Sequence, residues 1–125
     1  MYIYEDALPE LHQLATTHQL ALVTSGNSSP ARAQIDNVFR YTVVAEECGF
    51  AKPDKRIFEM LLTEAGVRAN ELIHVGDSLE SDVAGALNAG ATAVYLNRDH
   101  AFNTSSIASH YEISDLRELY PIIYA

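Results

Sequence analysis

The sequence is short of cysteine, of positive charge and of long apolar runs, and each shortage excludes something. Cys48 is the only cysteine, so no internal disulfide can form and a reducing compartment suits the chain. Eight lysines and arginines stand against seventeen aspartates and glutamates, a formal charge of −9. That balance argues against a nucleic-acid backbone or an anionic membrane as the main partner. It leaves room for a small phosphorylated molecule, because one lysine or a bound metal overrides the net field locally. No apolar stretch is long enough for a membrane span, and the start lacks the basic-then-apolar order of a signal peptide. The cytoplasm is the expected location.

What is present is an ordinary globular balance, with 48% hydrophobic and 20% charged residues over 125 positions. A single small domain spanning 1–125, with a core of its own, is the expectation. Asp6 can cap a first helix, with Pro9 in its first turn and Leu8, Leu11, Leu14 and Ala15 on one face. Leu20–Val23 reads as a buried parallel strand ending in Thr24-Ser25-Gly26-Asn27. Ser28–Gln34 is polar and carries Pro30, which fits a loop or a very short helix. A second strand is expected over Tyr41–Ala45, ahead of Glu46-Glu47 and Gly49. A helix follows Lys52-Pro53, with Pro53 in its opening turn, Gly66 at its stop and Ile57, Phe58, Leu61, Leu62 and Ala65 inside.

Leu72–Val75 reads as the third strand and Ala93–Leu96 as the fourth, separated by a small-residue helix over Val83–Asn88 that stops near Gly90. Arg98 to Ser109 is polar and irregular, as a loop should be. Tyr111–Ile113 adds a short edge strand, and Ser114 or Asp115 caps a terminal helix through Tyr120. Strands alternating with helices predict an α/β fold built on a parallel sheet.

The chemistry gathers in Ile73–Asp82, where an apolar run stops at Gly76-Asp77 and a second acid, Asp82, follows five residues on. Parallel α/β sheets bind ligands at the carboxyl ends of their strands. Asp77 belongs at such a tip, with Gly76 allowing close backbone approach. Ser81 or Asp82 is expected to cap or open the next helix, where an acid suits the dipole. A fixed carboxylate is a hard-cation ligand, and Mg²⁺ is its usual occupant beside phosphate. The plain alternative is a strand, a turn and an acid-capped helix. Thr24-Ser25 offers hydroxyl and backbone donors, or merely a strand-end turn. Lys52 offers a fixed positive charge, or merely a solvated one. In this order the three could hold a phosphate, with donors on its oxygens, Lys52 on its charge and Mg²⁺ bridging it to Asp77.

With those residues in view, the sequence resembles the haloacid dehalogenase-like hydrolase superfamily from about Tyr4 to the C-terminus. Leu20–Gly26 resembles the family's second motif, with Thr24 as its hydroxyl residue. Gly49-Phe50-Ala51-Lys52-Pro53-Asp54-Lys55-Arg56-Ile57-Phe58 resembles the third, with Lys52 as its lysine. His74–Asp82, followed by Val83-Ala84-Gly85-Ala86, resembles the fourth. The wording is most similar to small-molecule phosphatases, including nucleotide and phosphoglycolate phosphatase-like members. The resemblance implies a Rossmann-like core and a Mg²⁺-dependent phosphate-monoester hydrolase acting through an aspartyl-phosphate. It implies that Thr24 and the backbone at Ser25 bind the phosphoryl group and that Lys52 neutralises it. Asp77 would ligand Mg²⁺, and Asp82 would orient the loop, Lys52 or a metal-bound water. A nucleoside monophosphate is the preferred substrate.

The family's first motif, an apolar strand followed by Asp-x-Asp, is absent from the sequence, and so is the cap domain that lies between the first and second motifs. That motif carries the nucleophile, the general acid/base and a Mg²⁺ ligand. The chain alone is therefore expected to lack covalent turnover and to hold Mg²⁺ weakly or not at all. The missing strand is central in the family, between the strands of the second and fourth motifs. Its neighbours must pair directly, or a second chain or self-association must cover the gap, or the domain folds poorly. The competing readings are a C-terminal piece or half of a split phosphatase, a non-catalytic phosphate-binding or interaction module, a decayed fragment and, more remotely, a receiver-like domain. His12 and His18 fit a helix exterior and His100 and His110 fit loops. His74 is expected to be packed or hydrogen-bonded, and Cys48 to be a half-buried bystander.

Overall fold

Five short strands alternate with helices in a computed structural model that describes residues 13–24, 39–100, 102–103 and 105–123. The strands are β1 (Ala21–Thr24), β2 (Tyr41–Val44), β3 (Ile73–Gly76), β4 (Thr92–Leu96) and β5 (Tyr111–Ile113). The helices are α1 (Ala45–Cys48), α2 (Lys55–Ala65), α3 (Ala84–Ala89) and α4 (Tyr120–Ile123). Every strand pairing is parallel, which agrees with the α/β class read from the sequence. The expected start of the first helix at Asp6 and the Ser28–Gln34 segment lie outside the described residues. Gln13–Ala15 is helical, and Leu14 is buried.

The sheet is in two parts. β1 pairs with β2, and β3, β4 and β5 pair in that order. Among the described residues no ladder joins β1 to β3, the two strands that flank the place of the absent motif. Both strands read accordingly. Ala21, Leu22 and Val23 are half-buried, and Ile73 is 39% exposed, whereas Ala93 and Val94 in the middle of the other sheet are fully buried.

Alternation along β4 sets the layers, since successive side chains point to opposite faces of a sheet. Ala93 packs with Val83, Ala86 and Ala91 beneath α3. Val94 packs with Leu14, Ile113 and Leu119 on the opposite side. A third cluster joins Val43 of β2 to Ile57, Phe58 and Leu61 of α2, with Ala21, Val23 and Leu72 against it. The helix α2 thus bridges the two parts of the sheet through side chains.

Several boundaries differ from expectation for local reasons. Ala45–Cys48 forms a helical turn directly after β2, so the strand stops at Val44. Pro53 does not open α2. Asp54 is the N-cap, its carboxylate accepting from the Arg56 backbone N–H at 3.0 Å, and the Lys52-Pro53 peptide is cis. Asp54 also receives the Arg56 guanidinium at 2.7 Å. Gly66 ends α2 and Gly90 ends α3, as expected. Asp115 caps a 3₁₀ turn, Leu116–Leu119, which leads into α4.

Candidate functional site

β3 ends at Gly76, and its exit is shaped by a single π-helical turn, Leu79–Val83. Ser81 and Asp82, expected to cap or open the following helix, lie in its opening turn but do not cap it. Ser78 is the N-cap, its hydroxyl oxygen accepting from the Ser81 backbone N–H at 3.1 Å. The Ser78 carbonyl accepts from both Asp82 N at 2.9 Å and Val83 N at 3.1 Å, which widens the turn. Such turns recur at functional sites. Here the turn lets two consecutive residues, Asp82 and Val83, both face inward, at 5% and 1% exposure.

A buried carboxylate needs partners, and Asp82 has three. Lys52 Nζ donates to Oδ1 at 2.5 Å, and His74 Nε2 meets the same oxygen at 3.0 Å. The Ser78 backbone N–H donates to Oδ2 at 3.2 Å. Side-chain exposures of 22% for Lys52, 13% for His74 and 7% for Asp82 keep the trio largely dry. Burial pushes the Asp82 carboxyl upward, but the hydrogen bonds and charges of His74 and Lys52 outweigh it, and the group is lowered to about 2. It is a carboxylate at every physiological pH.

Two glycines make this packing possible. His74 and Gly76 are two apart on β3 and share a face. A Cβ on Gly76 would overlap Asp82 Cβ, Cγ and Oδ2, so the carboxylate occupies the space that a side chain would take. Across the site, a Cβ on Gly85 would lie 2.7 Å from Phe58 Cε2 and 3.2 Å from Pro53 Cα. The bare backbone of α3 therefore lets the Lys52-Pro53 segment and the Phe58 ring approach. Phe58 in turn meets the His74 ring in a T, 4.8 Å between centroids at 81°.

The structure thus brings Lys52, which follows β2, against Asp82, which follows β3, although 30 residues separate them. The carboxyl ends of the two sheet parts consequently open on one side. Asp77 is exposed just beyond the β3 tip. The Thr24 backbone ends β1 level with Val44, and Ser25 lies outside the described residues. His74 and Phe58 were not among the expected site residues. The signal for His74 was its place two residues before a glycine that a buried acid must fill. Cys48 is half-buried, its thiol 3.4 Å from the Phe50 carbonyl oxygen. His110 lies in the loop before β5, where its Nδ1 accepts from the Ala93 N–H at 3.0 Å.

Mg²⁺ takes near-octahedral oxygen coordination. Asp77 offers one exposed carboxylate, and both Asp82 oxygens are already engaged. Among the described residues no three His, Cys, Asp or Glu side chains gather to hold a metal ion. The described residues alone therefore do not fit a Mg²⁺ site. Among them, too, no helix is long and apolar enough to cross a membrane.

Residues 2–90 match the family model described as a haloacid dehalogenase-like hydrolase. Pyrimidine 5'-nucleotidase YjjG of Escherichia coli (strain K12) is 32% identical over 119 residues, 90% of this chain and 53% of its own length. N-acylneuraminate-9-phosphatase of Rattus norvegicus is 34% identical over 126 residues, 95% of this chain and 51% of its own. The crystal structure of a 2-haloacid dehalogenase from Pseudomonas syringae pv. Tomato DC3000 superposes with a TM-score of 0.91 at 32% identity, covering 98% of this chain and 54% of that one. The chain spans about half the length of the curated relatives it matches.

Proposed function

The chain belongs to the haloacid dehalogenase-like hydrolases, and from that premise we propose that it forms the phosphate-holding part of a phosphate-monoester phosphatase for small phosphorylated metabolites. The observation that supports this most is the Lys52–Asp82 pair, in which a buried carboxylate holds an ammonium at the strand tips. A lysine so held is pre-positioned for an anion, and positioning with fixed charge is most of what phosphoryl chemistry asks of a protein. In this reading the Thr24 hydroxyl and the Ser25 backbone donate to the phosphoryl oxygens, and Lys52 carries the countercharge. Asp82 fixes Lys52 and the loop, and Asp77 is one candidate Mg²⁺ ligand of a site that needs further oxygens. Relatives named as a pyrimidine 5'-nucleotidase, a glyceraldehyde 3-phosphate phosphatase and an N-acylneuraminate-9-phosphatase support a nucleoside monophosphate or a comparable small ester as the substrate class.

The Asp-x-Asp nucleophile is not in this sequence, so the proposed behaviour of the chain alone is phosphate binding without turnover. Inorganic phosphate titrated into the chain and followed by NMR is expected to saturate. Lys52→Ala is expected to weaken binding at least about tenfold, as loss of a charge-assisted contact implies. Phosphate that fails to saturate, or that binds Lys52→Ala equally well, would overturn the reading.

A second reading, half of a split enzyme, draws support from the absence, among the described residues, of any ladder between β1 and β3. A strand-bearing segment supplied by another chain would satisfy both rows of backbone groups. Turnover of a phosphate ester that emerges only when such a partner is added is the expected result.

A further inference from the structure

We propose that His74 is a positioning residue that holds the Asp82 carboxylate, and through it the Lys52 ammonium, in the orientation that receives a phosphate. The inference rests on the phosphate reading above. Asp82 Oδ1 accepts from Lys52 and meets His74 Nε2 at once, at 2.5 and 3.0 Å. Without His74 the carboxylate is free to rotate about its last torsion toward Ser78 N, which already binds Oδ2 at 3.2 Å. The ring itself is immobilised. It projects from β3 on the face of Gly76, where the Asp82 carboxylate fills the space a side chain would take, and the Phe58 ring packs against it in a T from α2. Phe58 is fully buried and held in turn by the close passage of Gly85. A path of fixed contacts therefore runs from α3 through α2 to His74, Asp82 and finally Lys52, the member most open to solvent. A histidine buried only for packing has no need to share an oxygen with the one lysine that Asp82 holds.

The test uses the full chain, labelled with ¹⁵N, and reads the Lys52 side-chain ammonium by NMR, assigned by its loss in Lys52→Arg. A glutamine amide nitrogen lies about where imidazole Nε2 does, and an asparagine amide about where Nδ1 does. His74→Gln is therefore expected to keep the Lys52 resonance in place. His74→Asn and His74→Leu are expected to move it to the position of a solvated lysine and to speed its hydrogen exchange about tenfold. In the same samples, inorganic phosphate should bind His74→Gln within about twofold of the unchanged chain and the other two about fivefold more weakly. A Lys52 resonance unmoved in His74→Asn and His74→Leu would overturn the proposal. If the leucine variant does not fold, the glutamine and asparagine variants decide it between them. Absence of phosphate binding in the unchanged chain would instead overturn the phosphate reading, while the Lys52 resonance still reports whether His74 places the ammonium.

Discussion

Replacing Asp82 with alanine is expected to destabilise the fold by about 3 kcal/mol, because removing one partner of a buried pair strands the others. Lys52 and His74 would both lose their acceptor, and the Ser78 N–H would face a void. The partial exposure of Lys52 keeps the cost at the lower end of that range. The pH dependence carries a distinct signature. The Asp82 carboxyl sits at about 2 in the folded chain against an ordinary 3.8, so the unfolded chain takes up this proton first. The contribution is thus complete above about pH 4 and disappears as pH falls toward 2. By linkage it amounts to about 2 kcal/mol. Urea denaturation of the unchanged chain and of Asp82→Asn at pH 7 and pH 2.5 isolates it, since the other carboxylates cancel in the difference. A stability gap of equal size at both pH values would show that the pair contributes nothing through its charge.

Gly76→Ala is expected to be at least as damaging, about 3 kcal/mol or more, although it adds only one methyl group. The new Cβ would overlap three atoms of Asp82. Neither side can yield easily, because the strand is fixed by its ladder to β4 and the acid by its three partners. Expulsion of the carboxylate then adds the loss of the pair to the cost of overpacking. The two sites should therefore be strongly coupled. In an Asp82→Gly background, where none of the three overlapped atoms exists, Gly76→Ala should cost markedly less than in the unchanged chain. Simple additivity of the two substitutions in a thermal-melt cycle would contradict this account of why the glycine is there.

Much of this was legible in the residues. Apolar runs of four or five between glycines and polar segments marked the parallel strands, and the 3.6-residue rhythm of Ile57, Phe58 and Leu61 marked the inner face of α2. Lys52, Asp77 and Asp82 were singled out because each follows a strand or opens a helix. What could not be read was the π-helical turn, since its extra residue leaves no compositional mark. Without that turn Asp82 looks like an exposed helix cap. Its burial, and with it the contact to His74, depends on which way one carbonyl, that of Ser78, is shared. Pro53 misled for a related reason. Proline suits the first turn of a helix, but Asp54 is the better cap and claims the boundary one residue later. That β1 and β3 form no ladder with each other among the described residues could not be read from either strand, since nothing in their own residues distinguishes an edge from a centre.

The division of the described strands into two ladders has a consequence for cooperativity. Backbone ladders fix register and direction, whereas apolar packing tolerates small relative motion. Among the described residues, β1–β2 and β3–β5 are separate ladders joined through the side chains of α2 and through one ion pair at the tips. Either ladder can open without breaking the hydrogen bonds of the other, so the described residues form two units of local unfolding. Amide deuterium uptake should therefore fall into two classes. Protection should last longest around Ala93 and Val94, which are fully buried on a strand paired on both sides, and be lost earlier along β1 and β2.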